Sequence, residues 1–110
     1  MIKTIGLLTR KSGWTHTQFM KHWVETHAPL ARKVPGLRRY VQNHIHGTRQ
    51  RADIEETAVE IDGIAELWFD DQAALETAAR TPEMQALHAD GALFIGAIKS
   101  YIVNEKIVVA

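Results

Sequence analysis

The segment HWVETHAPLARKVPGLRRYVQNH, residues 22–44, decides the fold because its hydrophobic period changes halfway along. Large side chains recur at helical spacing from Phe19, three residues before the segment, through its first half: Phe19, Trp23, His27 and Leu30. After the turn sequence VPG the pattern alternates, and Leu37, Val41 and Ile45 fall on one face of a strand. Spacing of three or four indicates a helix and alternation indicates a strand, so the segment predicts a helix, a tight turn and a strand.

The helix has a clear start and an interruption. Thr15 is a predicted N-cap, and Gln18 lies three residues further on, which is the spacing of a capping box. Pro29 falls inside the helical pattern. Because proline has no N–H to donate, it should either kink the helix near His27 or begin a second short helix.

The rest of the chain supplies three more strands and a second helical region. Short apolar runs predict strands over residues 3–9, 61–69 and 97–109. Asp70 or Asp71 should cap one helix, and Thr81 followed by Pro82 should begin another, which Gly91 ends. One side of that last helix should carry Met84, Leu87 and His88. Residues 48–60 are polar without a period and predict a mobile connection.

The predicted order is β-α-β-β-α-β, the ferredoxin-like arrangement of the α+β class, with a four-stranded antiparallel sheet and both helices on one face. A length of 110 residues predicts a single domain over residues 1–110. The other face of the sheet then needs a cover, and the last strand is partly apolar on both faces. A second copy of the chain is the simplest cover, so we expect a homodimer.

Composition narrows the functional classes. Thirteen basic and 13 acidic residues give a net charge of zero, so neither nucleic acid nor a membrane is an expected partner. The absence of cysteine excludes a disulfide scaffold, a thiolate zinc site and a cysteine nucleophile. No apolar run is long enough for a membrane span or for a signal peptide, so the expected location is cytoplasmic.

Several motifs together resemble the EthD family, named after a protein associated with bacterial degradation of ethyl tert-butyl ether. They are RKxGxTHxxFxxHWxxxHAPLA at residues 10–31, PGLRRYVQNH at 35–44, ELWF at 66–69 and FIG at 94–96. The resemblance implies a dimeric α/β barrel, in which two ferredoxin-like sheets pack face to face and each subunit has a cleft between sheet and helices. Relatives include a muconolactone methylisomerase and fungal polyketide dehydratases or decarboxylases. The resemblance therefore does not imply any single activity.

The resemblance to the isomerase branch implies two catalytic residues. Its acid/base groups are a histidine near the end of the first helix and a tyrosine on the next strand, which correspond to His27 and Tyr40 here. The isomerase has a cysteine just before the strand tryptophan, where this chain has Leu67. That departure counts against the isomerase's own reaction. The predicted substrate-binding residues are Trp23, Gln42, His44, Leu67 and Phe94.

The residues alone leave two interpretations of each candidate. His27 is either a structural histidine bonded to backbone near Pro29, or a general acid/base, since its ordinary pKa lies near neutrality. Tyr40, Gln42 and His44 form either a solvated strand face or a polar row facing a cavity. We favour the interpretation that this polar row faces a cavity, because both faces of the sheet should be covered.

Metal and cofactor sites are not predicted. His44 and His46 are a possible metal pair on one side of a strand, but no third ligand accompanies them. No glycine-rich phosphate loop is present. His16 and His22 should be peripheral, and His88 is a candidate to line the cleft.

The leading hypothesis is a small cofactor-independent enzyme that moves protons on a hydrophobic oxygenated molecule, such as a lactone or a polyketide-like phenol. The reaction would be an isomerisation, a dehydration as in a lyase, or a tautomerisation. The alternative is a non-catalytic protein that binds a small molecule for an oxygenase in ether or aromatic degradation. A third class, haem binding, stays open.

Overall fold

A four-stranded antiparallel sheet is the centre of the computed structural model, which describes residues 1–110. The strands are β1 (Ile2–Arg10), β2 (Arg39–His44), β3 (Gly63–Phe69) and β4 (Ile95–Val103). They lie in the order β2-β3-β1-β4, with every neighbouring pair antiparallel. This confirms the predicted ferredoxin-like fold of the α+β class.

The helices lie in the two crossovers. The first crossover contains α1 (His16–His22), a π-helical turn (Trp23–His27) and α2 (Ala28–Ala31), and the second contains α3 (Gln72–Ala79) and α4 (Pro82–Phe94). Thr15 and Gln18 form the predicted capping box. Asp71 and Thr81 cap α3 and α4 by accepting hydrogen bonds from backbone N–H groups. Residues 48–60 contain no helix or strand, and their mobility stays a prediction.

The predicted helix break at Gly91 is wrong. Helix α4 continues through Gly91 to Phe94, and Gly91 is buried against the first crossover. A Cβ atom there would lie 3.7 Å from Cε1 of His27. Glycine in a helix interior is less favourable than alanine by about 1 kcal/mol, but at this position the absence of a side chain lets the two helical segments approach closely.

The predicted strand limits also change. Strand β4 starts at Ile95 and ends at Val103, instead of covering residues 97–109, and β2 runs only from Arg39 to His44, so it includes neither Leu37 nor Ile45 of the predicted strand face. Val103 pairs with Lys3 at the beginning of β1, so little partner strand remains beyond it. Residues 104–110 leave the sheet for this reason.

The hydrophobic core lies between the helices and one face of the sheet, in two clusters. One contains Ala31, Val34, Phe69, Ala78, Met84 and Leu87, and the other contains Leu8, Phe19, Trp23, Ala65 and Phe94. His88, which was predicted on the same side as Met84 and Leu87, is exposed. No helix has the length and apolar character needed to cross a membrane.

The opposite face of the sheet has no helix over it. Side chains alternate along a strand, so the neighbours of the core residues point to this open face. It carries Ile5 opposite Tyr101 and Leu7 beside Lys99, with Ile64 paired to Leu7 on β3. At one end Lys3 forms ion pairs with Glu66 at 2.7 Å and with Glu105 at 3.1 Å. The charges of this end are thus satisfied within the chain.

Candidate active site

The π-helical turn organises the polar groups between helix and sheet. The carbonyl of Trp23 accepts a hydrogen bond from the N–H of Ala28, five residues on, and a second from Nε2 of Gln42 at 2.8 Å. Pro29 lacks an N–H, and in a regular α-helix its ring would crowd the carbonyl four residues earlier. The wider turn relieves that crowding, and such turns are frequent at functional sites.

Tyr40 is held by two donors. Its hydroxyl oxygen accepts hydrogen bonds from Nε1 of Trp23 and Nε2 of Gln42, each at 3.1 Å. Neither nitrogen can accept, so the hydroxyl proton has no acceptor among these partners. Burial raises the pKa of Tyr40, although the two hydrogen bonds oppose the shift. The side chain is therefore a neutral phenol with one proton available for donation.

Gln42 joins Tyr40 to His44. The Nε2–H of His44 donates to Oε1 of Gln42 at 2.9 Å, and the His44 ring stacks on Trp23 with 4.8 Å between ring centroids. Burial lowers the pKa of His44, and the nearby His16 lowers it further. The polar row that was predicted on β2 is thus one hydrogen-bonded network against the π-helical turn.

A cavity of about 360 Å³ adjoins this network. Tyr40 and Gln42 line it together with Ala28, Ala31, Arg32, Leu37, Arg38 and Arg39. Arg38 pairs with Asp70, and Arg39 lies over the ring of Trp68. Arg32 is in no ion pair, so the rim of the cavity is positively charged.

His27 belongs to a second network, on the α4 side of the π-helical turn. It is buried, and its Nδ1–H donates to Oδ2 of Asp90 at 2.7 Å. His22 reaches the same carboxylate, with Nε2 at 3.0 Å from Oδ1 and 3.2 Å from Oδ2. The ring of Phe94 packs edge-on against His27, with 5.2 Å between centroids.

The surroundings keep His27 uncharged near neutral pH. Burial is the largest cause of its lowered pKa, the hydrogen bond and charge of Asp90 oppose it, and His22 and His88 lower it further. Nε2 of His27 makes no hydrogen bond within the chain, yet it is not among the fully enclosed polar atoms. In the neutral ring Nε2 therefore carries a lone pair without a partner and can accept a proton.

The structure places the predicted residues on the two sides of the π-helical turn. Tyr40, Gln42, His44 and Trp23 lie together, whereas His27 lies with Asp90. The cavity beside Tyr40 includes Ala28 but not His27. Trp23 and Phe94 are fully buried, and Leu67 pairs with Tyr40 across the strands. Substrate contacts by these residues stay predictions.

Two residues of the site were not found from the sequence. Asp90 follows the buried Leu87 by three positions, so an acidic side chain on the buried side of α4 was the available signal. Arg32 had no such signal, because an exposed arginine after a helix is common. His22, which was predicted to be peripheral, is the last residue of α1 and shares the carboxylate of Asp90 with His27.

A second acidic residue, Asp62, ties the end of the long connection to the first crossover. It is buried, and it accepts hydrogen bonds from the backbone N–H and the guanidinium of Arg10, both at 2.7 Å. His16 lies with Nδ1 at 2.7 Å from Asp62 and Nε2 at 2.8 Å from the carbonyl of Ile45. Both nitrogens are occupied, so His16 has a structural role beside a cavity of about 590 Å³.

No group of three or more metal-ligating side chains is arranged to hold a metal ion. Strand β2 ends at His44, whose Nε2 is occupied by Gln42, and His46 lies beyond the strand on the surface. The pair therefore does not share a strand face as the sequence suggested.

The sheet order, the helical layer and the cavity lined by Tyr40 and Gln42 define a ferredoxin-like α+β protein with a polar cavity between sheet and helices. Residues 11–97 match the family model of the EthD domain. The chain belongs to the EthD family.

Relatives agree with this assignment. The chain is 27% identical over 108 residues to 4-carboxymethyl-4-methylbutenolide mutase from Pseudomonas reinekei, covering 97% of this chain and 100% of that protein. A crystal structure of an EthD family protein from Bacillus halodurans is 32% identical, covers 96% of this chain and 99% of that one, and has a TM-score of 0.77. A dimeric ferredoxin-like protein from Thermobifida fusca is 15% identical, covers 94% and 90%, and has a TM-score of 0.72.

Proposed function

We propose that the protein is an isomerase that rearranges a butenolide-type lactone bearing a carboxylate, by proton transfer. The observation that carries the proposal is the Tyr40 hydroxyl, whose oxygen is held by two N–H donors and whose proton remains available at a cavity rimmed by arginines. The similarity to a butenolide mutase along the whole chain supports the reaction type.

Tyr40 polarises the lactone carbonyl. Removing a proton from the lactone places negative charge on the carbonyl oxygen, and a hydrogen-bond donor already fixed at that position stabilises the charge. The indole N–H of Trp23 and the amide N–H of Gln42 fix the phenol. Its raised pKa favours the neutral, donating form that this role needs.

Arg32 binds the carboxylate of the substrate. The guanidinium fork of arginine matches the two oxygens of a carboxylate. Arg38 and Arg39 line the same cavity but contact Asp70 and Trp68, so Arg32 is the arginine available for an anion. The name of the similar mutase describes a carboxymethyl group on its lactone, which agrees with a cationic rim.

His27 is the proposed base and acid. It is uncharged near neutral pH for the reasons given above, and its Nε2 has no partner. It directly precedes Ala28, which lines the Tyr40 cavity. In the proposed reaction Nε2 takes a proton from the carboxymethyl CH2 of the substrate as the ring C–O bond breaks, and returns it to carbon when a carboxylate oxygen closes the new lactone ring, so the step neither consumes nor produces a proton overall.

The test is turnover of 4-carboxymethyl-4-methylbutenolide, followed by proton NMR. Tyr40→Phe keeps the ring and removes the hydroxyl, so kcat should fall by roughly 10²–10⁴-fold with KM nearly unchanged. The matched control is Tyr101→Phe, which changes the other tyrosine of the chain on the open sheet face. Full activity of Tyr40→Phe, or equal losses in both variants, would contradict the role of Tyr40.

A non-catalytic binding function is the second candidate. The separation of His27 from the Tyr40 cavity and the full burial of Trp23 and Phe94 favour it. An accessory protein of this kind would hold the lactone or a related compound for an oxygenase. In the same experiment, calorimetric binding of the butenolide without turnover in the wild type would support this candidate over the isomerase.

We also propose that two copies pack through the open sheet face. That face joins apolar side chains on three strands, among them Ile5, Leu7, Ile64 and Tyr101, to a charge cluster that is neutralised internally. Tyr101 is half exposed in the single chain. A face of this composition is suited to a partner with the same face, because Lys3 pairs with Glu66 and Glu105 and the ammonium of Lys99 lies over the Tyr101 ring.

A further inference from the structure

The geometry points to Asp90 as the residue that positions His27, by holding its Nδ1–H and leaving Nε2 as the nitrogen that exchanges the proton. The consequence for turnover rests on the proposed function. The consequence for the tautomer of the ring rests on the hydrogen bond alone. The two consequences are therefore tested separately below.

The hydrogen bond selects one tautomer. Asp90 and His27 are both buried, and Oδ2 lies 2.7 Å from Nδ1, the short distance of a charge-assisted bond. An ionised carboxylate can only accept, so Nδ1 must carry the hydrogen. In the neutral ring Nε2 then holds the lone pair. Without Asp90 the ring would be free to place its proton on either nitrogen.

His22 fixes the carboxylate itself. Its Nε2 lies within hydrogen-bond distance of both oxygens of Asp90, while its ring packs on Phe94 and edge-on to Trp14, with centroids 4.6 and 5.4 Å away. Asp90 is therefore bound from two sides. Its orientation, and with it the orientation of His27, is set before any substrate arrives.

The π-helical turn makes this arrangement possible. Residues five apart on a regular α-helix project about 140° away from each other, since each residue turns the helix by about 100°. His22 and His27 are five apart, and the turn over Trp23–His27 contains one more residue than an α-helical turn. The extra residue brings both rings to the same side, where α4 presents one carboxylate.

Asp90 also stabilises the charge that forms during the reaction. When Nε2 of His27 takes the substrate proton, the buried ring becomes a cation next to the ionised carboxylate. The proton on Nδ1 stays in place, and the proton on Nε2 returns to the substrate. The groups that act on this cation are Asp90 and His88 from α4 and His22 from α1; Asp90 favours it and the two histidines oppose it.

The first test is the tautomer of His27, measured by long-range ¹H–¹⁵N NMR of uniformly labelled protein without substrate. The wild type should show the neutral ring with its hydrogen on Nδ1. Asp90→Ala should move a large fraction of the hydrogen to Nε2. Asp62→Asn removes the other buried aspartate that contacts a histidine, so it should leave the His27 signals in place. A wild-type ring with its hydrogen on Nε2, or a tautomer unaffected by Asp90→Ala, would overturn the inference.

The second test is turnover of 4-carboxymethyl-4-methylbutenolide across a pH series. Asp90→Asn should lower kcat on the order of 10²-fold with little change in KM. The limb of the pH–rate profile that reports the protonation of His27 should move to lower pH, because the attraction that favours the charged ring is lost. A merely structural role would scale activity with the folded fraction and leave the pH profile in place, which would overturn the inference. A confirmed tautomer without turnover in the wild type would instead reject the proposed function and leave the positioning role intact.

Discussion

Burial acts in opposite directions on the pKa of Tyr40 and of His27, and it gives each side chain the form that its proposed role requires. It disfavours whichever form is charged, so it raises the pKa of Tyr40 and lowers the pKa of His27. Near neutral pH the tyrosine is then a neutral acid and the histidine a neutral base. Both side chains are then uncharged, which suits the proposed reaction because that reaction begins and ends with the same number of protons.

The same burial makes stability depend on pH. The pKa of His27 in the folded chain lies below its ordinary value of 6.5, so between those two values the unfolded chain binds the extra proton and the folded chain does not. The free energy of unfolding should therefore have its highest value above about pH 6.5 and should fall as the pH is lowered towards the pKa of His27 in the folded chain. For one proton the slope is at most about 1.4 kcal/mol per pH unit.

Urea unfolding at about pH 7.5 and about pH 5.5 checks this, with His27→Gln expected to reduce the loss. Some slope should remain, because the pKa of His44 is also lowered by burial. Five carboxylates also have a lowered pKa, but they act only near and below their ordinary values of 3.8 for aspartate and 4.5 for glutamate: Asp53, Asp62, Glu66, Asp70 and Glu105. His46→Gln, a change at an exposed histidine, serves as the control. An identical slope in wild type and His27→Gln would contradict the prediction.

Sequence reasoning found these two side chains unequally well. Tyr40 could be predicted from alternation on a strand and from the family motif, because strand periodicity fixes which face a side chain occupies. His27 could be placed on a buried helical row, but its partner could not. Asp90 is 63 positions away, and the contact depends on one extra residue in the helix. Nothing local in WVETH marks that insertion except the proline that follows.

At the scale of the elements, the sequence correctly predicted the features that depend only on residues close together in the chain. The capping box at Thr15 and the caps at Asp71 and Thr81 need only residues within one turn. The errors came from tertiary contacts. Gly91 was expected to end α4, but packing against His27 outweighs its propensity, and β4 ends where β1 stops offering a partner.

Contact between β3 and the π-helical turn yields a prediction about Gly63. A Cβ atom at Gly63 would overlap the Trp23 ring, with Cη2 only 2.8 Å away. Trp23 is fully buried, stacks on His44 and donates to Tyr40, so it has no free space to move into. Gly63→Ala should lower the free energy of unfolding by about 1–3 kcal/mol, the usual range for overpacking.

Gly6→Ala is the matched control, because it is also a buried glycine in a strand. A Cβ atom there would make ordinary contacts, the nearest at 3.5 Å from Leu8. It should be neutral or slightly stabilising, since it reduces the freedom of the unfolded chain. Denaturant unfolding compares the two, and Trp fluorescence reports whether Trp23 has shifted. Equal effects of both substitutions would show that the overlap with Trp23 does not decide the cost.

At the scale of the whole molecule, the sheet has one face covered by helices and one open. The open face pairs Lys3 with Glu66 and Glu105, while Trp68 donates to Glu105 at 2.6 Å. These contacts pair three of the charges on this face, and Lys99 lies over the Tyr101 ring. Apolar side chains on β1 and β3, among them Ile5, Leu7 and Ile64, make up much of the remaining surface. The sequence predicted the need for a cover from the element order, because two helices cover only one face.

The expected assembly is a homodimer through this face, with an interface above about 1,200 Å² in total. In sedimentation at micromolar concentration the protein should have twice the 12.4 kDa mass of the chain.

Tyr101 is 48% exposed in the single chain, so Tyr101→Glu should leave the subunit folded. In the dimer it would replace a buried aromatic ring by a carboxylate that has to be desolvated, which should weaken association by roughly 10³-fold and shift the protein towards the mass of one chain. Leu93→Glu introduces the same charge at a similarly exposed apolar position on α4 and should remain dimeric. A wild type that sediments as a single chain, or a Tyr101→Glu variant as dimeric as Leu93→Glu, would contradict association through the open sheet face.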